Sequence, residues 1–264
     1  MSESLPVAPH FNVCLQMLAL ATKYAQCFDR LDDQSLSTPE EPGRIVQQIK
    51  AVRLLAEEAA AVAKISVALP MSLLDHTDRT VRSKLSQLQV VTTAAGENLE
   101  RAVEESDPAS FASLDMRLRH IDTARDLLAT ASADLIACAE RVAAEMERYR
   151  STYSIPEARH PLTAEQFQAL RLAAQGAVSV DEKGQAWVGL DKTAVRASVL
   201  RALDRQGLVA SEGSAAWAGD VHVLPTPMGM LVLSASLCRP ERGVADARST
   251  PPAARASAPA GLRR

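Results

Sequence analysis

ASVLRALDRQGLVASEG, residues 197–213, is the stretch on which the fold of the C-terminal third depends. Its first half places Val199, Ala202 and Leu203 at helical spacing, so that they share one face. Gly207 is well placed to end this helix, because glycine readily adopts the left-handed conformation that often follows a helix. The residues after Gly207 alternate as in an extended segment. The stretch therefore predicts a helix that turns directly into a β-strand.

The neighbouring sequence predicts a small α+β domain around this stretch. The expected order is a helix capped by Thr163, a β-hairpin at 177–190, a helix at about 192–206, strands at 208–212 and 220–224, and a closing helix that begins at Thr226 and Pro227.

Two segments of this region resemble winged-helix regulators of the MarR-like kind. In VLRALDRQGLVASE, the residues Leu203, Gly207, Leu208 and Val209 match the L-x-x-x-G-L-V pattern at the end of the recognition helix. In VHVLPTPMG, the residues Thr226, Pro227 and Gly229 match the L-T-P-x-G pattern after the wing. The resemblance covers residues 161 to about 235. It implies a winged-helix fold and double-stranded DNA as the partner.

The sequence departs from the family pattern in two places. The hairpin at 177–190 stands where the second helix of the helix-turn-helix is usual. The wing also lacks basic residues, because the only charges between Ser211 and Asp220 are Glu212 and Asp220 itself. Neutralisation of phosphates by basic side chains supplies most of the affinity of a protein for DNA, so a wing without basic residues adds no such affinity. Trp217 is a candidate for an exposed residue at the tip of the wing.

The outward face of the helix at 192–206 is the candidate DNA-contacting surface. Four basic residues against Asp191 and Asp204 leave this segment with two net positive charges. The candidate residues are Lys192, Thr193, Arg196 and Arg205 on this face and Arg201 near its edge. The alternative is an ordinary solvated helix face. With so few cations the affinity of one copy is expected to be weak, and two joined copies are expected to be needed.

Residues 1–152 are expected to form an antiparallel helical bundle or a coiled-coil hairpin. Only 3% of the chain is aromatic, and Ala, Leu and Val suit close-packed helices. A single long helix is predicted through 114–149. A strict 4-3 spacing forms an apolar seam interrupted by one acid: Leu74, Asp78, Val81, Leu85, Leu88, Thr92, Ala95, Leu99 and Ala102. Homodimerisation through residues 72–150 would cover the apolar stripes, and a self-sufficient monomeric bundle is the alternative.

Composition separates further segments and excludes several classes of protein. Residues 153–162 contain two prolines and are predicted to be a linker between the bundle and a domain at 163–238. Residues 239–264 are expected to be a disordered tail rich in Arg, Pro and Ala, with contact to nucleic acid as the alternative role.

The net charge is −3, and residues 1–160 carry 17 basic against 23 acidic residues. Four scattered cysteines indicate free thiols in a reducing cytoplasm. No segment has the roughly 20 apolar residues of a membrane span.

No motif for catalysis, a cofactor or a metal stands out. The chain contains no G-x-S-x-G, P-loop or dinucleotide-binding pattern, and its five histidines are isolated from metal-ligand partners. We therefore expect a cytoplasmic, non-enzymatic, DNA-associated or transcription-regulator-like protein without cofactor, metal or membrane partner. The alternative is a protein-interaction scaffold whose winged-helix fold docks protein.

Overall fold

The computed structural model describes residues 8–33, 36, 42–67, 69, 77–105, 111–146, 154, 161–181, 183–188, 193–214 and 220–238. This part of the chain contains eight helices: α1 (Pro9–Leu31), α2 (Pro42–Val67), α3 (Thr77–Glu104), α4 (Phe111–Leu128), α5 (Ala131–Met146), α6 (Ala164–Ala174), α7 (Ala197–Arg205) and α8 (Pro227–Leu237). It contains five strands: β1 (Val178–Val180), β2 (Ala186–Val188), β3 (Thr193–Ala194), β4 (Val209–Gly213) and β5 (Val221–Pro225). The predicted mainly α class with a small sheet is confirmed.

In the first five helices, α1 packs against α2, α4 and α5, and α3 packs against the same three helices. Lys23 pairs with Glu58, and Asp33, later in the chain, pairs with Arg44, which comes before Glu58. Helices α1 and α2 are therefore antiparallel. Helix α1 also contacts α4 and α5, through Asp32–Arg125 and Cys14–Ala139. Helix α1 is buried on nearly every side, as its apolar residues predict.

The apolar seam of α3 is covered by the chain itself. Its described members are buried: Val81, Leu85, Leu88, Thr92, Ala95, Leu99 and Ala102. In the centre of the seam, the Thr92 hydroxyl lies 2.6 Å from the hydroxyl of the fully buried Tyr24 on α1. Leu74 and the side chain of Asp78 lie outside the described residues. A second copy is therefore not required to bury this seam, and homodimerisation stays a prediction.

The region predicted as one long helix contains two helices. Ala129 and Thr130 form a turn between α4 and α5. The Ala129 amide bonds to Asp126 only three residues back, and the Asp134 amide bonds to Thr130, where the new helix begins. The periodicity continues across the turn, which is why the sequence pattern did not reveal it.

The five strands form one antiparallel sheet in the order β3-β2-β1-β5-β4. The hairpin predicted at 177–190 is present as β1 and β2, with Val178 opposite Val188. The helix predicted at 192–206 begins only at Ala197. Thr193 and Ala194 instead pair with β2 as a short edge strand, a conformation that suits a β-branched residue such as threonine.

The sheet region and the bundle share buried contacts. The hydroxyl of Ser234 on α8 donates to the carbonyl of Phe11 on α1 at 3.5 Å, and the Sγ of Cys238 lies 3.4 Å from the Sδ of Met146 on α5. Buried residues of both regions belong to one hydrophobic core. The division into domains at 1–152 and 163–238 stays a prediction. Most of the predicted linker and the whole tail at 239–264 lie outside the described residues.

The described helices were compared with the length and apolarity of a membrane-spanning helix. Of the helices described above, none combines the length and the apolarity needed to cross a bilayer.

Candidate nucleic-acid interface

The end of α7 explains the first motif. The amide of Leu208 donates to the carbonyl of Leu203 at 2.9 Å, and the amide of Gly207 donates to that of Asp204 at 2.8 Å. This is the Schellman pattern of helix termination, with Gly207 at φ +66°. Leu203 and Leu208 are both fully buried. The motif therefore anchors α7 on the core and directs the chain into β4.

The second motif bonds directly to the first. The Thr226 hydroxyl accepts from the Gly229 amide at 3.1 Å and so caps α8. The same hydroxyl donates to the carbonyl of Gly207 at 2.6 Å, and the Thr226 amide donates to the carbonyl of Leu208 at 3.0 Å. The two motifs, distant in sequence, thus form one junction that fixes α7 relative to β5 and α8.

The exposed surface of α7 carries two guanidinium groups without an acidic partner among the described residues. Arg201 and Arg205 are exposed and donate to the backbone carbonyls of Ala197 and Arg201 at 3.3 and 3.2 Å. Within the described part of the chain, no carboxylate lies within ion-pair distance of either. Arg196 is also exposed, but it pairs with Glu165 on α6 at 3.0 Å.

The candidate DNA-contacting residues occupy different elements. Arg201 and Arg205 lie on α7, while Arg196 is the extended residue that precedes the helix. Thr193 lies in β3, so its placement on the outward helix face is wrong. The backbone there pairs with β2 instead of continuing the helix. Lys192, and Trp217 at the expected wing tip, lie outside the described residues.

The β4–β5 hairpin is docked on α1, a contact that the sequence did not predict. Asp29 Oδ1 accepts from His222 Nε2 at 2.7 Å and from the hydroxyl of Ser214 at 2.8 Å. Glu212 accepts from the side chain of Gln26 at 2.7 Å and lies 3.7 Å from the guanidinium of Arg30. The wing therefore directs Glu212 toward α1, where Arg30 partly balances its charge.

His222 is the electrostatic centre of this docking contact. The hydrogen bond to Asp29 raises the pKa of His222 above its ordinary value of 6.5, and burial opposes the rise. The charges of Asp29, Glu212 and Asp220 raise it further. His222 Nδ1 also lies 3.3 Å from the hydroxyl of Ser179 on β1.

The serine–histidine–aspartate chain invites comparison with a catalytic triad. A small cleft does open beside His222, between α1 and the β4–β5 hairpin, and Asp29 and His222 line it. Ser179 is not among its lining residues; it lies on β1, which is paired on both sides. We interpret these contacts as structural hydrogen bonds that link β1, β5 and α1.

The cysteines and the acidic residues do not form a metal centre in the described part of the chain. No group of three His, Cys, Asp or Glu side chains there is arranged to hold a metal ion. All four cysteines are buried, and Cys14, Cys27 and Cys138 are free thiols. Burial raises the pKa of the Cys27 and Cys138 thiols to about 11, so both stay protonated near neutral pH.

Comparison of the chain with protein-family models, with curated proteins and with solved structures found no match.

Proposed function

We propose that residues 163–238 form a winged-helix-like domain that contacts double-stranded DNA weakly through α7. The sheet order β1-β5-β4, with α7 leading into the β4–β5 hairpin, supports this interpretation. The observation that carries the proposal is the pair of exposed guanidiniums, Arg201 and Arg205, that have no acidic partner among the described residues. An arginine free of carboxylates has all its charge available for phosphate.

The same surface limits the expected strength and specificity. Asp204 is exposed on α7 between the two arginines, and Arg196 must leave Glu165 before it can reach a phosphate. The described part of the wing adds Glu212 rather than a cation. We therefore propose that binding is dominated by a few phosphate contacts, is weak for one copy, and weakens steeply as salt increases.

A titration with a fluorescent duplex of about two helical turns tests the proposal. Changing Arg201→Gln together with Arg205→Gln removes both charges at exposed positions and leaves the core untouched. We expect at least about tenfold weaker binding at low salt, since each lost contact is worth roughly 1 kcal/mol. Fluorescence anisotropy of the labelled DNA measures the change.

The matched control is Arg53→Gln with Arg119→Gln. These two arginines are exposed on α2 and α4, and the change in net charge is the same. The control should bind DNA nearly as the unchanged protein does. Equal losses in both double variants would show that only net charge matters, and no loss in the α7 variant would contradict the proposal.

Dimerisation is a further part of the proposal, because two linked copies double the phosphate contacts. Since the α3 seam is buried within one chain, the surface that joins the copies must lie elsewhere on residues 72–150. Val90 and Met116 are exposed apolar residues in that range. Light scattering of the purified protein should give the mass of two chains, and the mass of one chain at all concentrations would refute dimerisation.

A protein-docking role is the second candidate function. It is favoured by the wing, in which Glu212, Ser214 and His222 bond to α1 and no described residue presents a basic side chain outward. In that case an acidic protein surface would take the place of phosphate at Arg201 and Arg205. A protein partner that co-purifies with the chain and is lost in the α7 double variant, without any DNA affinity, would select this role.

We also propose a cytoplasmic location. The buried free thiols of Cys14, Cys27 and Cys138 suit a reducing compartment.

A further inference from the structure

We propose that the contact between His222 and Asp29 is a pH-sensitive latch that holds the β4–β5 hairpin on α1. The latch is closed while His222 carries its second proton and weakens when that proton leaves. This inference does not depend on DNA binding, because it concerns how two parts of the chain are held together.

The protonation state of His222 decides how strongly its ring binds Asp29, because both ring nitrogens have hydrogen-bond partners. The His222 ring is bonded on both sides, to Asp29 at 2.7 Å and to the Ser179 hydroxyl at 3.3 Å. Protonated imidazole donates from both nitrogens, so it bonds as a cation to the Asp29 carboxylate. Neutral imidazole has one N–H, and its bond to Asp29 loses the attraction between opposite charges. The side chains of His222 and Asp29 are only 19% and 15% exposed, so water replaces little of what is lost.

The charges around His222 favour its protonated form. The charged groups near His222 are Asp29 and the cation Arg30 on α1, Glu212 on β4, and Asp220, which directly precedes β5. Strand β1 contributes the uncharged Ser179. Three acids against one cation stabilise a positive imidazolium at this position.

The sign of the pH effect follows from the pKa. His222 has a raised pKa when docked and returns toward its ordinary value of 6.5 when the hairpin leaves α1. Its contribution to docking is therefore complete below about pH 6.5 and is lost as the pH rises through the raised value. Each unit of pKa difference changes the docking equilibrium about tenfold.

Opening of the latch would loosen the hairpin and so favour local opening of the β4–β5 pairing, while the rest of the fold stays in place. The bond from Gln26 to Glu212 and the bond from Ser214 to Asp29 do not depend on the histidine proton. Strand β4 is an edge of the sheet, and Glu212 on it faces α1. Higher pH would therefore weaken the attachment of β4 and β5 to α1, which makes the contact a switch between a docked and a loosened hairpin.

Hydrogen exchange of the full chain, followed by mass spectrometry, tests the latch. Protection of β4 and β5, corrected for the intrinsic effect of pH, should decrease between about pH 6 and about pH 8.5 in the unchanged protein. In His222→Gln it should be low at both values. The control His120→Gln alters another part-buried histidine, bonded to Asn98 in the bundle, and should keep the decrease. The same pH dependence in His222→Gln and the unchanged protein would overturn the proposal.

A second measurement keeps the test independent of variant folding. Nuclear magnetic resonance of the histidine rings in the unchanged protein should give His222 a titration midpoint above its ordinary value of 6.5, and Asp29→Asn should lower it. A midpoint at or below the ordinary value in the unchanged protein would refute the latch.

Discussion

Replacing Gly229 with alanine is expected to destabilise the protein by about 3 kcal/mol or more, as severe overpacking does. A Cβ atom at this position would lie 1.9 Å from the carbonyl oxygen of Leu208 and 3.4 Å from Leu170. That carbonyl cannot move away freely, because it accepts the hydrogen bond from the Thr226 amide. The expected loss would show that the two winged-helix-like motifs meet as the structure places them.

The control is Gly96→Ala, which should have the opposite sign. Gly96 lies inside α3, and a Cβ there would make an ordinary contact of 3.7 Å with Val52. Alanine is favoured over glycine in a helix by about 1 kcal/mol, so this variant should be slightly stabilised. Urea unfolding followed by circular dichroism measures both variants. A Gly229→Ala protein as stable as the unchanged one would refute the described junction.

Replacing Gly176 with alanine is expected to cost about 2–4 kcal/mol, from backbone strain and overpacking together. Gly176 has φ +70°, and its Cβ would lie 2.4 Å from the Cβ of Ala25 on α1. Gly176 follows α6, where it ends that helix through a bond from its amide to Ala173 at 3.0 Å. The variant thus probes the close approach between the sheet region and the bundle.

Gly184→Ala separates the two causes. Gly184 has φ +74°, but nothing lies within 4 Å of the position that an added Cβ would take, so only the strain of about 1 kcal/mol applies. The difference between the two variants in urea unfolding measures the crowding against α1. Equal losses would mean that Gly176 and Ala25 are not in contact in solution, and that the two regions are not docked as described.

Local sequence signals predicted the elements that depend on neighbouring residues. Gly207 and the Thr226–Pro227 pair mark the end of α7 and the start of α8, and both act as expected because capping is decided within one helical turn. The alternation at 177–190 predicted the β1–β2 hairpin for the same reason. The seam of α3 was predicted from its 4-3 spacing, and its described members are buried.

Contacts between distant residues were beyond the sequence pattern. Asp29 and His222 are 193 positions apart, and neither has a neighbour that marks it as a partner. The pairing of Thr193 with β2 depends on where a hairpin edge lies, so it shortened α7 without a local signal. Periodicity shows that the α3 seam is apolar but not whether the chain itself or a second copy covers it.

The candidate site was predicted in part for these reasons. Arg201 and Arg205 are both exposed on α7, where the helical spacing had placed Arg205 on the outward face and Arg201 near its edge. Arg196 and Thr193 precede the helix, so the expected continuous face is shorter. The absence of positive charge from the described wing was visible in the sequence. The hairpin docks on α1, where Glu212 accepts from Gln26 and His222 bonds to Asp29.

Our central proposal is that Arg201 and Arg205 neutralise DNA phosphates, and the salt dependence of binding tests it most directly. Each phosphate contact contributes about −0.9 to the slope of the logarithm of the association constant against the logarithm of salt concentration. We predict a slope shallower by about 1.8 in the Arg201→Gln and Arg205→Gln double variant. A slope equal to that of the unchanged protein, or equal to that of the Arg53→Gln and Arg119→Gln control, would contradict the proposal.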